Sequence, residues 1–501
     1  MQKLINNILT SRIYEVAVYS PIDYAQNLST LTGNKIYLKR EDLQPVFSFK
    51  LRGAYNKISR LSKEEREKGV ICASAGNHAQ GVALSAQKLG ILATIIMPST
   101  TPLIKVNAVR QLGGEVILYG DNYSEAAEEC GRLAQEMERT FIHPFDDFDV
   151  IAGQGTIGHE LLQQLPGMDY LFVPIGGGGL IAGVAAFLKT VQPHTKIIGV
   201  EPVESDAMSR SIKENKRVVL DSVGIFADGV AVKQVGELNF QMAKEFVDEI
   251  VTVTTDEISS AIKSIYEDIR TIMEPAGALA VAGMRNYLRN HEVKNAKIVA
   301  INSGANMNFD RLHFVAERTR TGEGREALFA VTIPEKPGSL KYFCEHFVGN
   351  KSITEFNYRV SGEGDAHIYV GIGIENFPER EEFQKNLEKE GYSCLDMTDN
   401  DVAKTHVRHM VGGKSDQKAH EVLYMFDFPE RPQALSNFLN AMSSGWNISL
   451  FHYRMHGGDY GRVLVGFQIP EKDREEFNQF LNKLHYNYRE ETDNPAYKLF
   501  L

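Results

Sequence analysis

The chain has 501 residues, of which 43% are hydrophobic and 24% charged, and a formal net charge of -11. That length exceeds one compact core and predicts roughly three or four domains. The acidic balance argues against a general nucleic-acid or anionic-membrane binder, because both repel a net-negative surface. The four cysteines, Cys72, Cys130, Cys344 and Cys394, form no Cys-x-x-Cys pair, which argues against a disulfide framework or a zinc site and fits a reducing cytosol. The opening MQKLINNILTSRIYEV has neither a long apolar core nor a small-residue cleavage site, and the best apolar run, 180–188, is too short for a bilayer. A cytoplasmic protein with no membrane or nucleic-acid partner is expected.

From about 35 to 307, strand-like and helix-like segments alternate. VILYG (116–120), DYLFVPI (169–175), KIIGVE (196–201), EIVTVT (249–254) and KIVAINS (297–303) are short, apolar and rich in β-branched residues. Between them lie helical stretches such as SEAAEECGRLAQEMER (124–139), with apolar positions at helical spacing and acidic residues in the first turns. The alternation predicts an α/β body of parallel sheet covered by helices on both faces, with ligands at the carboxyl ends of the strands.

Four loops carry candidate chemistry. In KREDLQPVFSFKLRGA (39–54), Lys50 sits among Phe47, Phe49 and Leu51, where desolvation would favour a neutral, nucleophilic amine. A snorkelling lysine at a helix start accounts for the local sequence equally well. SAGNHAQG (74–81) follows the apolar strand GVICA, and its small residues let backbone approach a ligand while the next helix aims N–H groups at an anion. An ordinary capped turn is the plainer reading there. Gly176, Gly177, Gly178 and Gly179 run consecutively between a strand and the helix LIAGVAAFLKT. Four glycines are costly in chain entropy, and a phosphate cup at a helix N-terminus explains them. A rival explanation is the dinucleotide fingerprint made by Gly177, Gly179 and Ala182, with Glu201 following 19 positions later. In INSGANMN (301–308), Ser303 stands at a strand end, facing a ligand or capping a turn. His78 and His143 have no second ligand at metal spacing, so both are read as structural or supporting residues and no metal is expected. Glu274, in MEPAGA (273–278), is a candidate for the pocket lining.

At RTRTGEGRE (318–326) the periodicity stops, and a linker is expected. Beyond it the chain repeats itself. IPEKPGSL (333–340) and FPERPQAL (428–435) align without a gap, their Pro334 and Pro429 being 95 positions apart. An apolar strand (ALFAVT, EVLYMFDF) precedes each and a helix (LKYFCEHF, SNFLNAM) follows. Two strands and a closing helix come next: TEFNYRV, HIYVGIGI and EREEFQKNLEKEG in one copy, NISLFHYRM, GRVLVGFQI and DREEFNQFLNKLH in the other. With a last strand this is a ferredoxin-like β-α-β-β-α unit appearing twice. The expected divisions are 1–318 for a body of two subdomains, 319–326 for the linker, and 327–398 and 421–492 for the repeats. The basic residues of the repeats read as a solvated face.

The lysine loop, the asparagine-bearing turn, the glycine cup, MEPAGA and the strand-end serine together resemble the fold-type II pyridoxal-phosphate enzymes over about 39 to 310. With two ACT-like repeats after the body, the layout resembles the biosynthetic threonine ammonia-lyase (threonine dehydratase) family. One departure is INSGAN, where many relatives of the superfamily have a second glycine in SGGN. The resemblance implies pyridoxal 5'-phosphate as cofactor, held covalently by Lys50, with Phe49, Asn77, Gly176, Gly177, Gly178, Gly179, Leu180 and Ser303 around it. Ser74, Ala75, Gly76, Asn77 and His78 would take the substrate carboxylate. Ser303 would be a neutral partner for the pyridine nitrogen, favouring prompt elimination over transamination. Further implications are dehydration and deamination of L-threonine, and also of L-serine, to a 2-oxo acid and ammonia. For threonine that product is 2-oxobutanoate, the first committed step of isoleucine and branched-chain amino-acid biosynthesis. Isoleucine inhibition, valine antagonism and a homotetramer complete the picture. On the residues alone two other classes stay open: a dinucleotide-dependent oxidoreductase, resting on 177–201, and a non-catalytic amino-acid sensor, resting on the repeats.

Overall fold

The computed structural model describes residues 1–334, 342–348, 351, 353–359, 365–409, 421–429, 438, 441, 446–454, 460–484 and 486–500. The chain divides into two compact units, Met1–Val315 and Ala316–Leu501. Ten strands run through the first: β1 (Ile22–Tyr24), β2 (Lys35–Arg40), β3 (Val70–Ala73), β4 (Ala93–Met97), β5 (Glu115–Leu118), β6 (Thr140–Phe141), β7 (Tyr170–Pro174), β8 (Lys196–Pro202), β9 (Glu249–Val253) and β10 (Lys297–Asn302). They form two sheets, one ordered β1-β2-β10-β7-β8-β9 and one ordered β5-β4-β3-β6. Every pairing is parallel except that of β1 with β2. The five strand-like runs named above all lie on these strands, with ends shifted by at most two residues.

The helices cover both faces because the strands are apolar on both. Leu171 and Val173 pack into one core together with Ile181, Val184 and Leu188 of the helix Gly179–Val191. Phe172, between them, packs into the other with Leu279 and Met284 of the helix Pro275–Asn290. Burying both faces is what removes the polar alternation from these strands. The smaller sheet has its own cores, around Val70, Cys72 and Ile95 on one side and Ile71, Ala73 and Ile96 on the other. The loops after β2, β3, β7 and β10 are the four singled out for chemistry.

The second unit holds two four-stranded antiparallel sheets. The first comprises β11 (Glu326–Pro334), β12 (Ile353–Arg359), β13 (Asp365–Gly373) and β14 (Ser393–Asp396), ordered β12-β13-β11-β14. The second comprises β15 (Glu421–Pro429), β16 (Asn447–Arg454), β17 (Tyr460–Gln468) and β18 (Tyr488–Glu490), ordered β16-β17-β15-β18. The duplication extends to an irregularity: the register shifts between Ile353 and Glu355 in one copy and between Ile448 and Leu450 in the other. Both copies contribute to one shared core, Leu328, Ala330 and Tyr369 meeting Leu423, Met425 and Leu464. The proline motifs after β11 and β15, and the helix SNFLNAM, fall largely outside the described residues.

The expected linker is corrected. Residues 318–322 are the last turns of the helix Arg311–Gly322, and β11 begins at Glu326. The sequence hid this helix because its buried residues here are polar: Arg318, Thr319 and Thr321. Arg318 donates to Asp401 and to Thr405 (2.7 Å each), so no apolar stripe was needed to hold it. Among the described residues no helix is long and apolar enough to cross a membrane.

Candidate active site

The lysine loop and the serine loop are laced together largely by backbone, with the Asn306 Nδ2 adding a bond to the Val46 carbonyl at 2.9 Å. Phe47 takes a left-handed φ of 55°, and its carbonyl accepts from the Ala305 N–H at 2.9 Å. The Phe49 N–H donates to the Ser303 carbonyl at 3.2 Å, and Ser48 bridges Gly304. Lys50 then opens the helix Lys50–Ile58. Its Nζ donates to the Pro144 carbonyl at 2.8 Å and lies 5.4 Å from the Phe49 ring centre. Burial pulls the Lys50 pKa down to about 8, against the opposing pull of the Glu274 charge.

Two residues further on, Arg52 anchors that helix. Its Nε and Nη2 donate to Glu41 at 2.7 Å each, and Nη1 to Glu160 at 2.6 Å and Thr156 at 3.2 Å. Lys39 donates to the same Glu160, and all four charged side chains are fully buried. Lys39, Glu41 and Arg52 lie within the 39–54 stretch, but Glu160 joins them from the helix Phe148–Gln164, so only the fold could reveal the quartet.

After β3, residues 74–76 lead into the helix Asn77–Leu89, whose first-turn N–H groups have no intrahelical acceptors. Ser74 Oγ accepts from the Gly76 N–H at 3.2 Å. The Asn77 side chain is held at both ends: its Nδ2 donates to Glu274 and its Oδ1 accepts from Asn306, each at 2.6 Å. Glu274 is buried, and burial first, then the Asp228 charge, push its pKa up to about 7. The His78 imidazole turns away from this cluster and donates Nε2–H to the Ile142 carbonyl at 2.8 Å. Burial pushes its pKa down to about 3, so it is neutral and reaches the loop only through backbone. His143 also has a local role, its Nδ1 accepting from the N–H groups of Phe145 (3.2 Å) and Asp146 (2.7 Å).

The glycine loop joins β7 to the helix Gly179–Val191, with Gly178 as N-cap at a φ of 93°. A Cβ on Gly177 would lie 2.2 Å from the Phe145 ring. Among the described residues the N–H groups of Gly176, Gly177 and Gly178 donate to no protein acceptor, and those of Gly179 and Leu180 lie in the helix's first turn. Five such donors at one helix N-terminus are the arrangement that suits an anion. The Leu180 side chain is buried in the core. Pro144, which accepts from Lys50, and Phe145, which covers the loop, place the amine and the loop's N–H groups against one wall. Ser303, at the end of β10, is buried and donates Oγ–H to the Ala276 carbonyl at 3.2 Å.

The dinucleotide alternative fails on Glu201. Its carboxylate is fully buried and accepts the N–H groups of Met208 and Ser209, both at 2.8 Å, capping the helix Ala207–Glu214. Burial pushes its pKa up to about 8. A carboxylate buried in this way against a helix N-terminus is not presented to a ribose hydroxyl. Among the described residues no cluster of His, Cys, Asp or Glu could hold a metal ion.

Comparison with known proteins agrees with this geometry. Residues 15–304 match the family model of pyridoxal-phosphate dependent enzymes. Residues 317–407 and 412–501 each match the C-terminal regulatory domain of threonine dehydratase. The chain is 52% identical to a biosynthetic L-threonine dehydratase of Burkholderia multivorans, covering 99% of both chains. It is 48% identical to the Escherichia coli enzyme of that name, covering 99% of this chain and 96% of the other. Among solved structures, the processed form of threonine deaminase isoform 2 from Solanum lycopersicum aligns with a TM-score of 0.63 at 53% identity, over 63% of this chain and 92% of its own. Maize serine racemase aligns with a TM-score of 0.59 at 33% identity, over 63% and 96%. A catalytic body matched across its length, followed by two copies of the matching regulatory domain, places the chain in the biosynthetic threonine dehydratase family of pyridoxal-phosphate dependent enzymes.

Proposed function

We propose that this chain dehydrates and deaminates L-threonine to 2-oxobutanoate and ammonia, using pyridoxal 5'-phosphate carried on Lys50. The observation that carries the reading is the Lys50 amine, lowered to about 8 and sharing one wall with the five glycine-loop N–H groups. The residues present fit the cofactor: an amine for its aldehyde carbon, bare backbone N–H groups for its phosphate, and the Ser303 hydroxyl for its ring nitrogen. The Asn77 amide suits its phenolic oxygen. When bound, the cofactor supplies an electron sink for the bond broken at the substrate Cα.

The chain's own residues do the rest. Near neutral pH a lysine with a pKa of about 8 is deprotonated in a useful fraction of molecules, so Lys50 serves as nucleophile and then removes the Cα proton. Backbone N–H groups of residues 74–78 bind the substrate carboxylate at a helix N-terminus. Glu274 and Asn306 grip the two ends of the Asn77 amide and set its plane. L-serine is a second substrate, since its missing methyl group changes binding by only about 1–3 kcal/mol. The two regulatory repeats bind isoleucine as inhibitor and valine as antagonist, in a cytoplasmic homotetramer. The match of both repeats to the C-terminal regulatory domain of threonine dehydratase supports a regulatory role for them.

The test is release of 2-oxobutanoate and ammonia from L-threonine by the purified protein, with and without isoleucine. Equimolar products, dependence on pyridoxal phosphate and suppression by isoleucine are expected. Failure to release a 2-oxo acid from either threonine or serine in the presence of the cofactor overturns the reading.

A further inference from the structure

The glycine loop has an internal weakness. Glycines allow the close approach of backbone to an anion, but a peptide flanked by two residues without Cβ rotates easily, and rotation turns its N–H away. The peptide joining Gly177 to Gly178 is of this kind, yet it is pinned from behind. Its carbonyl oxygen accepts from the Gly236 N–H at 3.1 Å and from Asn239 Nδ2 at 2.8 Å. In a trans peptide the C=O and the following N–H point in opposite directions. Holding the Gly177 oxygen toward the helix Glu237–Phe246 therefore aims the Gly178 N–H away from that helix, where it meets no protein acceptor.

Asn239 is built into this place. It is fully buried, and the second hydrogen of its Nδ2 reaches the Phe145 carbonyl at 3.0 Å, tying the loop to the segment that covers it. The opposite amide orientation would set Oδ1 against two carbonyl oxygens, so the donor end faces the loop. Its Oδ1 is buried without a partner, a cost the fold carries to keep those two donors in place. Asp146 fixes the start of the helix by accepting from the N–H groups of Glu237 (2.8 Å) and Leu238 (3.0 Å). A Cβ at Gly236 would lie 2.6 Å from both Asn239 Nδ2 and the Asp146 carboxyl, so the glycine there admits both side chains.

We infer that Asn239 is a positioning residue for the phosphate cup: it stops the peptide between Gly177 and Gly178 from turning over and so presets an anion-binding N–H. The inference rests on the reading of residues 176–180 as that cup. The test compares equilibrium dialysis of pyridoxal phosphate and of pyridoxal, which lacks the phosphate, on the parent chain and on Asn239→Leu. Asn239→Leu should lose about ten- to a hundredfold in pyridoxal phosphate affinity, the effect of stripping the Phe145 carbonyl of its donor and leaving the Gly177 carbonyl only the longer of its two hydrogen bonds. Pyridoxal affinity should stay unchanged. Equal losses for both ligands would show a general packing role and overturn the inference, as would no loss for either. Circular dichroism checks the fold. Asn239→Ser, which keeps a shorter donor, should fall between parent and Asn239→Leu, and it is read by the same ratio if the leucine variant unfolds. A parent chain that binds no pyridoxal phosphate would instead refute the cofactor reading itself.

Discussion

A single methyl group added at Gly178 perturbs the anion loop with little else changed. The φ of 93° there is a conformation that costs an L-residue roughly 1–3 kcal/mol. The new Cβ would also lie 2.7 Å from Met208 Cε and 2.8 Å from Asn239 Cβ. The methionine tip can swing aside, but the asparagine Cβ is fixed to its helix, and relieving that overlap adds about 1–3 kcal/mol. If only the smaller total, about 2 kcal/mol, falls on the cofactor-bound state, Gly178→Ala binds pyridoxal phosphate roughly thirtyfold more weakly. Gly167→Ala is the matched control, because Gly167 has a φ of 72° but nothing within 4 Å of an added Cβ. It should lower the melting temperature slightly and leave binding alone. Equilibrium dialysis of the three proteins, with thermal melts alongside, measures both effects. Parent-like binding by folded Gly178→Ala would refute the phosphate-cup reasoning, and NAD bound in the cofactor's place would revive the dinucleotide alternative.

Three further outcomes are expected. Arg52→Met leaves Glu41 and Glu160 without their main partner in a fully buried site, and should cost about 3–5 kcal/mol of stability in urea unfolding; a loss below about 1 kcal/mol would mean the quartet is relaxed or hydrated. His78 is neutral in the folded chain down to about pH 3 but takes up a proton near pH 6.5 when unfolded. The unfolded state then binds more protons between those limits, so stability falls as pH drops below 6.5, by up to about 1.4 kcal/mol per pH unit from this residue alone. His78→Gln, which keeps a donor for Ile142, should lack that slope, so the slope appears in the parent-minus-variant difference; parallel urea curves from pH 7 to pH 5 would refute the assignment. A chain ending at Gly322 retains all four loops and should turn over threonine with simple saturation, insensitive to isoleucine, because the differential affinity that couples effector to catalysis is gone. Inhibition of that truncated chain at the same isoleucine concentration would place regulation in the body.

The parts of the site readable in the sequence are those made of consecutive residues. The four glycines, Lys50 in its apolar loop and the 95-residue repeat each announce themselves locally, because each is one segment with one backbone requirement. What escaped is built from residues distant in the chain. Asn239 sits in an unremarkable first helical turn, and only folding brings it against Gly177 and Phe145. The Arg52 quartet likewise spans residues 39 to 160. Glu201 shows the converse: its spacing satisfied a fingerprint, yet its carboxylate caps a helix six residues downstream, a fact that spacing cannot carry. The helix through 318–322 was missed because it is held by an arginine and threonines where an apolar stripe was sought.

Borohydride reduction of the purified protein followed by peptide mapping asks where the cofactor is attached. A phosphopyridoxyl group on the peptide containing Lys50, together with loss of turnover in a folded Lys50→Ala protein, is the predicted result. A phosphopyridoxyl group on any other lysine, or substantial threonine dehydration by folded Lys50→Ala, would contradict it.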